Sequence, residues 1–228
     1  MNTIKMIVFD MAGTTVNENN VVYKTLQKVI SDAGFSVSLD QVLEQGAGKE
    51  KLQAVKSILQ HYAHTTDDAS AAKIYDKFIV QLEEAYNELD IMPQPNAETL
   101  FNALHERKIL VVLNTGYNRK TAQSIIDKLG WKEGVDFDSV ITATDVNKNR
   151  PNPDMILLAK EKFDIKTSAE IIKVGDSIID IEEGKNAGCG FTVGITTGAH
   201  TYRQLQSANP DFIINNLIDL LPLIDKKS

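Results

Sequence analysis

Cysteine is nearly absent from this sequence of 228 residues, which contains only Cys189. A single cysteine excludes a disulfide scaffold and a cysteine-rich metal site, and it favours a reducing compartment. No apolar run reaches 18 residues, so we expect no membrane partner. The first apolar segment begins at Ile4, which leaves no room for a signal peptide and favours a cytoplasmic location.

Positive charge is also scarce, because 24 Lys and Arg residues stand against 31 Asp and Glu residues, for a net charge of -7. Proteins that bind nucleic acid need clustered Lys and Arg, so we expect no nucleic-acid partner. Internal repeats and low-complexity segments are missing as well. With 43% hydrophobic residues, the chain can bury a large core, as one domain or as one domain with an insert.

The sequence does contain a regular alternation of short apolar runs and helical patterns. The apolar, β-like runs are Ile4–Phe9, Ile109–Leu113, Ser139–Ala143, Ile171–Val174, Phe191–Ile195 and Phe212–Ile214. Apolar residues at helical spacing fill several of the gaps, over 96–107, 121–129 and 153–163. This alternation predicts an α/β fold, with a Rossmann-like parallel sheet flanked by helices on both faces.

Residues 17–92 differ from the rest because they contain no convincing strand. The apolar spacing predicts three or four helices there, with the clearest at 21–33, 51–62 and 69–89. Pro93 and Pro95 mark the return to the sheet. We therefore predict an α/β core of residues 1–16 and 93–228 and an inserted helical cap domain of residues 17–92, with hinges near both junctions.

Polar residues follow four of the apolar runs. They are Asp10 and Thr14, Thr115 and Gly116, Arg150, and Asp176 with Asp180. Each has a structural explanation when taken alone: Asp176 as a helix cap, Thr115 as a turn residue, Arg150 as a surface cation. The carboxyl ends of parallel strands meet at one edge of a sheet, so the four sets together indicate a single site.

Asp10 is a carboxylate nucleophile able to form an acyl phosphate. A dianionic phosphoryl group repels that carboxylate, so a cation must lie between them. The side chains of Asp10 and Asp176 and the carbonyl oxygen of Ala12 are hard ligands suited to Mg²⁺, which is the expected cofactor. Asp180 lies one helical turn after Asp176 and completes the metal site, where it would orient Arg150 or a metal-bound water.

Two further side chains would act on the phosphoryl group itself. Thr115 and nearby backbone N–H groups can hold phosphoryl oxygens, and Arg150 can neutralise the charge that develops on them. With Asp10 as nucleophile, these are the candidate catalytic residues of the predicted core.

These motifs resemble the haloacid dehalogenase superfamily over nearly the whole chain, and within it the phosphonatase group, the phosphonoacetaldehyde hydrolases. The shared features are Ala12 within Ala-Gly-Thr-Thr-Val, Arg150-Pro151, Thr115-Gly116-Tyr117, and the pattern Gly175-Asp176…Asp180…Glu183-Gly184…Asn186-Ala187-Gly188. The resemblance implies a Mg²⁺-dependent hydrolase that acts through a phospho-aspartyl intermediate. It also implies that Ala12, Gly116, Tyr117 and Lys49 lie where substrate binds.

Ala12 bears directly on the reaction, because ordinary phosphatases carry a second Asp there that protonates an alkoxide leaving group. Breaking a phosphorus–carbon bond instead needs an electron sink, which a lysine imine with a neighbouring aldehyde supplies. Phosphonatases take this lysine from the cap, in a Gly-x-x-Lys context. Gly48 and Lys51 have that spacing, while Gly46 and Lys49 offer a rival register. We favour Lys51, because the following apolar positions then align with the family's helix.

Two positions depart from the phosphonatase pattern, which has a Met before the glycine and a His three residues after the lysine. This chain has Ala47 and Ala54, and its nearest histidines are His61 and His64. The alternative is that both lysines are solvated cap charges or phosphate-steering cations. The predicted substrate is therefore a small phosphonate, or alternatively a small phosphate ester cleaved by a phosphoglycolate phosphatase-like phosphomonoesterase. We expect a monomer or a homodimer.

Overall fold

The computed structural model describes residues 3–225, so Met1, Asn2 and residues 226–228 of the predicted core lie outside the description. The strands in this range are β1 (Met6–Asp10), β2 (Val16–Asn17), β3 (Met92–Pro93), β4 (Leu110–Thr115), β5 (Ser139–Thr142), β6 (Ile171–Gly175), β7 (Phe191–Ile195) and β8 (Phe212–Ile214). Six of them form one parallel sheet in the order β5-β4-β1-β6-β7-β8. The predicted parallel sheet is confirmed.

The described helices lie between and around these strands. They are α1 (Val21–Asp32), α2 (Leu39–Gly46), α3 (Lys51–Tyr62), α4 (Asp68–Glu88), α5 (Ala97–Glu106), α6 (Arg119–Leu129), α7 (Asp154–Lys162), α8 (Ile178–Ala187), α9 (Tyr202–Ser207) and α10 (Leu221–Asp225). Within residues 3–225, none of the helices combines the length and the apolar character that a bilayer crossing would require.

Strand β1 lies in the middle of the sheet, and all five of its residues are buried. Successive side chains point to opposite faces of a strand. Ile7 and Phe9 accordingly join one apolar cluster, whereas Met6 and Val8 join a second. Helices α5 and α6 contribute to the first cluster, and α7 and α8 to the second. Both faces are therefore covered, which explains why β1 is a continuous apolar run rather than an alternating one.

Helices α1 to α4 fill the segment of residues 17–92, called here the cap segment. The short helix α2 begins with a capping box, in which Ser38 accepts from the Gln41 N–H and the Gln41 side chain accepts from the Ser38 N–H. At the two junctions, β2 and β3 pair antiparallel, with Val16 opposite Pro93. Two-residue strands have no periodicity, so the sequence could not predict them. The division into a core domain and a cap domain stays a prediction.

Candidate active site

The turn after Asp10 brings its carboxylate to the carboxyl edge of the sheet. The carbonyl oxygen of Met11 accepts hydrogen bonds from the N–H groups of Thr14, Thr15 and Val16, at 3.1, 2.9 and 2.8 Å. Gly13 has a φ of 83°, and a Cβ built on it would lie 2.4 Å from Oδ2 of Asp176. Glycine is required here by both its conformation and the approach of the second carboxylate.

Three carboxylates converge at this edge, since oxygens of Asp10, Asp176 and Asp180 all lie within 4.8 Å of one another. The Asp176 carboxylate accepts from the Ala199 N–H at 2.5 Å and is lined by Gly198, whose added Cβ would lie 1.9 Å from Oδ2. Burial raises the pKa of Asp10 and of Asp176, and neighbouring carboxylates raise both further. These carboxylates are hard oxygen donors that repel one another, and a divalent cation such as Mg²⁺ would offset that repulsion.

Arg150 is buried at the centre of the site, with 1% of its surface exposed, so it is not a surface cation. One terminal nitrogen lies 2.7 Å from Oδ1 of Asp10 and 3.0 Å from Oδ1 of Asp180. Its Nε lies 3.0 Å from Oε2 of Glu183. Burial opposes the charge on Arg150, but Asp180, Glu183 and Asp10 outweigh it and hold its pKa above the ordinary value. The guanidinium therefore orients the Asp10 carboxylate.

A second buried cation, Lys173 on β6, was missed at the level of the sequence. Its Nζ lies 3.0 Å from Oδ1 of Asp180, 3.1 Å from Oε2 of Glu183 and 2.6 Å from the side-chain oxygen of Asn114. The amide of Asn114 also donates to Glu183, at 2.9 and 3.0 Å. A lysine inside the apolar run of β6 was the available signal, because an unpaired buried ammonium is too costly to occur there.

Asp180 is held by protein donors at both carboxylate oxygens. Oδ1 contacts Arg150 and Lys173, and Oδ2 accepts from the Ser177 hydroxyl at 2.5 Å. Burial disfavours its ionisation, but these two cations outweigh burial and lower its pKa. Because both oxygens are already engaged, Asp180 is better placed to position Arg150 than to bind a metal directly.

Thr115 ends β4 beside Asp10, is buried, and accepts the N–H of Tyr117 at its hydroxyl oxygen, at 3.2 Å. Gly116 contacts the cap segment so closely that an added Cβ would lie 2.6 Å from the carbonyl oxygen of Lys49. Gly48 has a φ of 71°, and its carbonyl oxygen accepts from Arg150 at 3.3 Å. The loop of residues 46–50 therefore lies directly on the core.

The two candidate lysines point to different places. Lys51 is 6% exposed; its Nζ donates to the Lys49 carbonyl oxygen at 2.7 Å and lies 5.3 Å from the ring centre of Tyr117 and 5.5 Å from that of Tyr23. Burial lowers its pKa, and Asp10 is the main charge that opposes this. Lys49 instead donates from Nζ to the Ser57 hydroxyl at 3.1 Å. Lys51 is thus the one whose amine faces the Asp10 side, and the choice between the registers stays a prediction.

Glu18 is a buried acid that the sequence did not single out. It follows β2 at the junction where we predicted a hinge, and only 2% of it is exposed. Its Oε2 accepts from the Val22 N–H at 3.0 Å and from the Tyr86 hydroxyl at 3.3 Å. His61 and His64, by contrast, are not buried and lie on the cap segment. Glu18 is one of three acids, with Asp10 and Glu50, that raise the pKa of Lys51 against the effect of its burial.

Comparison with known proteins identifies the family. Residues 4–188 match the family model described as haloacid dehalogenase-like hydrolase. The chain belongs to this family. The predicted membership in the haloacid dehalogenase superfamily is confirmed, and the protein is a hydrolase.

Individual relatives of this hydrolase carry two kinds of name. It is 24% identical to a phosphonoacetaldehyde hydrolase of Paraburkholderia xenovorans, over 98% of this chain and 95% of that protein. It is 27% identical to a phosphoglycolate phosphatase of Vibrio parahaemolyticus, over 97% and 96% of the two chains. Its fold matches the crystal structure of a phosphonoacetaldehyde hydrolase-like protein from Oleispira antarctica with a TM-score of 0.83, at 21% identity, over 99% and 92%.

Substitution of Lys173 by Met tests the buried ion cluster. Lys173→Met keeps the side-chain volume but leaves Asp180 and Glu183 without one of their cations, so we expect a loss of about 3–5 kcal/mol in unfolding free energy. Lys162→Met is the control, since Lys162 pairs with Glu133 at 3.1 Å where both side chains are about half exposed, and it should cost less than about 1 kcal/mol. Urea unfolding measures both, and equal losses would contradict the importance of Lys173.

Substitution of Gly116 by Ala tests the contact between the loop of residues 46–50 and the core. The added methyl group would meet the Lys49 carbonyl oxygen at 2.6 Å, so the loop must shift. We expect kcat/KM on the best phosphonate or phosphate ester to fall by about 10- to 100-fold with the fold intact. Gly194→Ala in β7 is the control, because its Cβ would meet Leu205 only at 3.4 Å. Unchanged kinetics of Gly116→Ala would show that this contact has no part in activity.

Proposed function

We propose that this hydrolase cleaves the phosphorus–carbon bond of a small phosphonate that carries an aldehyde, through a phospho-aspartyl intermediate at Asp10 and an imine at Lys51. The observation that carries the proposal is the buried amine of Lys51, which faces the Asp10 side of the site and lies beside Tyr117. A buried lysine whose pKa is lowered by desolvation is a stronger nucleophile towards a carbonyl group, because more of it is neutral.

The carboxylates of Asp10 and Asp176 and the carbonyl oxygen of Ala12 would hold Mg²⁺. When bound, the ion supplies positive charge that offsets the repulsion between the Asp10 carboxylate and the phosphoryl oxygens. Asp180 would contribute by holding Arg150 in place, as its 3.0 Å contact with the guanidinium suggests.

Asp10 would attack phosphorus with the carboxylate oxygen that Arg150 leaves accessible. Arg150 contacts Asp10 at 2.7 Å, so it both orients the nucleophile and lies near the charge that develops on the phosphoryl group. Thr115 ends the neighbouring strand and would hold a phosphoryl oxygen through its hydroxyl group. Gly116 and Tyr117 would shape the space beside it, and Lys49 would contribute only its backbone carbonyl oxygen, which Lys51 contacts at 2.7 Å.

Lys51 would supply the electron sink. Its neutral amine bonds to the aldehyde carbon, the carbonyl oxygen gains a proton and leaves as water, and a protonated imine remains. As the phosphoryl group passes to Asp10, the electron pair of the phosphorus–carbon bond moves into the imine to give an enamine. Protonation of the enamine carbon and hydrolysis then release the aldehyde and free the amine, and a second water hydrolyses the acyl phosphate. The methyl group of Ala12 is consistent with this route, because no alkoxide needs a proton from that position.

The second candidate is a phosphomonoesterase that acts on a small phosphorylated metabolite. It is favoured by Ala54, which stands where phosphonatases have a histidine, and by the similarity to a protein named phosphoglycolate phosphatase. In that case Lys51 would be a cation that steers the phosphate group. The two candidates share Asp10, Arg150 and the metal site, and they differ in whether Lys51 becomes covalently attached to the substrate.

Substitution of the nucleophile tests the part common to both candidates. Asp10→Asn is nearly isosteric, so the fold should persist while phosphate release with Mg²⁺ falls by about 10⁴-fold or more. Asp127→Asn, at an exposed position of α6, is the matched control and should keep full activity. Residual activity of Asp10→Asn within about tenfold of the unaltered protein would remove Asp10 from its role.

Borohydride trapping tests the proposed imine. Reduction in the presence of phosphonoacetaldehyde should inactivate the protein and leave a mass adduct on the peptide that contains Lys51. Lys49→Arg should retain the adduct, and Lys51→Arg should lose both the adduct and the activity. An adduct on Lys49 would favour the rival register. No adduct, with Lys51→Arg still active, would identify Lys51 as an electrostatic guide and the protein as a phosphomonoesterase.

A further inference from the structure

Imine formation at Lys51 needs a partner that exchanges protons. A lysine amine must lose a proton before it attacks a carbonyl group, and the oxygen of the resulting carbinolamine must gain one before it leaves as water. Ala54, in the next turn of α3, offers only a buried methyl group. A group on another element must therefore supply and accept these protons.

Glu18 is placed to exchange protons with that amine. The Lys51 ammonium lowers the pKa of Glu18, and Glu18 raises that of Lys51, so each group senses the charge of the other. Desolvation nevertheless dominates at Glu18 and raises its pKa to about 7. A carboxyl group in this range is present in both protonation states near neutral pH, as an acid–base catalyst requires.

Hydrogen bonds link Glu18 to the hydroxyl group of Tyr117, whose ring contacts Lys51. The Tyr86 hydroxyl donates to Glu18 at 3.3 Å and lies 2.8 Å from the Tyr117 hydroxyl. The Lys51 Nζ lies over the face of the Tyr117 ring, 5.3 Å from the ring centre, and donates its hydrogen bond to the Lys49 carbonyl oxygen. Burial raises the pKa of both tyrosines well above 10, so they stay neutral and pass protons without ionising. The titratable groups facing Glu18 are thus Lys51, Tyr86, Tyr117 and Tyr23.

We propose that Glu18, acting through Tyr86 and Tyr117, is the acid–base partner of the Lys51 amine. The proposal rests on the imine chemistry of the proposed function. Ionised Glu18 first takes a proton from the Lys51 ammonium. The neutral amine then bonds to the aldehyde carbon, and the carbonyl oxygen leaves as water, with one hydrogen from the amine and one from protonated Glu18. The products are the protonated imine, water and the Glu18 carboxylate, so atoms and charge balance.

The first experiment measures the proton coupling without any substrate. The ¹³C resonance of the Lys51 Cε, assigned by its loss in Lys51→Arg, is followed as the pH is raised. We expect a titration step near pH 7, where Glu18 ionises, and its loss in Glu18→Gln. The amide oxygen of the substituted side chain can still accept the Val22 N–H, so the start of α1 is retained. A step that persists in Glu18→Gln, or no step in the unaltered protein, overturns the proposal.

The second experiment follows the rate of borohydride-trapped imine at Lys51 against pH. Glu18 must be ionised to take the proton from the Lys51 ammonium, so the rate should rise as the pH rises through about 7. Glu18→Gln should remove this rise and lower the rate near neutral pH by about 10- to 100-fold. Glu18→Asp should restore part of the rate, as a purely structural role would not.

Glu50→Gln is the matched control for charge. Glu50 also raises the pKa of Lys51, but it caps α3 by accepting from the Leu52 and Gln53 N–H groups, each at 2.9 Å. Glu50→Gln should keep the rise near pH 7, and an equal loss of that rise in both variants overturns the proposal. A titration step without any trapped adduct supports the Glu18–Lys51 coupling and overturns the imine function.

Discussion

The burial of two cations beneath the end of β1 is the constraint on which the site depends. Arg150 and Lys173 are exposed by only 1% and 0%, and each would cost several kcal/mol without partners. Asp10, Asp180 and Glu183 supply the opposite charges, and Asn114 fills the remaining hydrogen-bonding positions. Because such a cluster tolerates few arrangements, it fixes Asp10 in one orientation. The Asp10 carboxylate is therefore positioned by ion pairs that the fold must satisfy in any case.

The cap segment completes the site through backbone contacts. Gly48 and Gly116 lack side chains where the loop of residues 46–50 meets β4 and α8, and a Cβ on Gly48 would lie 2.4 Å from the Ser177 hydroxyl. Lys51 begins α3 directly after this loop. Its amine is buried beside the rings of Tyr23 and Tyr117. Burial of this amine lowers the pKa of Lys51, so a lysine of the cap segment has more of its amine in the neutral form.

Much of the fold could be predicted from the sequence because β1 and β6 are apolar runs with polar residues at their ends. Such runs specify a sheet covered on both faces, and topology then brings Asp10, Thr115 and Asp176 together. The register of Lys51 rested on the apolar positions Ala54 and Val55, both of which are buried in α3. Local sequence pattern was sufficient to place a residue wherever its location followed from a single strand or helix.

Pairings between distant elements could not be predicted in the same way. Lys173 pairs with Asp180 and Glu183 on α8, and Glu18 accepts from Tyr86 on α4, 68 residues away. The sequence around Glu18 has no apolar pattern that would indicate burial, and tertiary packing buries that side chain. The pairing of β2 with β3 could not be predicted either, because a strand of two residues shows no alternation in the sequence.

The most direct test of the account compares two substrates on one preparation. Phosphonoacetaldehyde and phosphoglycolate should be supplied separately with Mg²⁺, and the products followed by ³¹P and ¹³C NMR. The account predicts that phosphonoacetaldehyde yields inorganic phosphate and acetaldehyde, with a kcat/KM at least about 10²-fold above that for phosphoglycolate, since Ala12 cannot protonate an alkoxide. Release of phosphate from phosphoglycolate alone, with phosphonoacetaldehyde left intact, would contradict it.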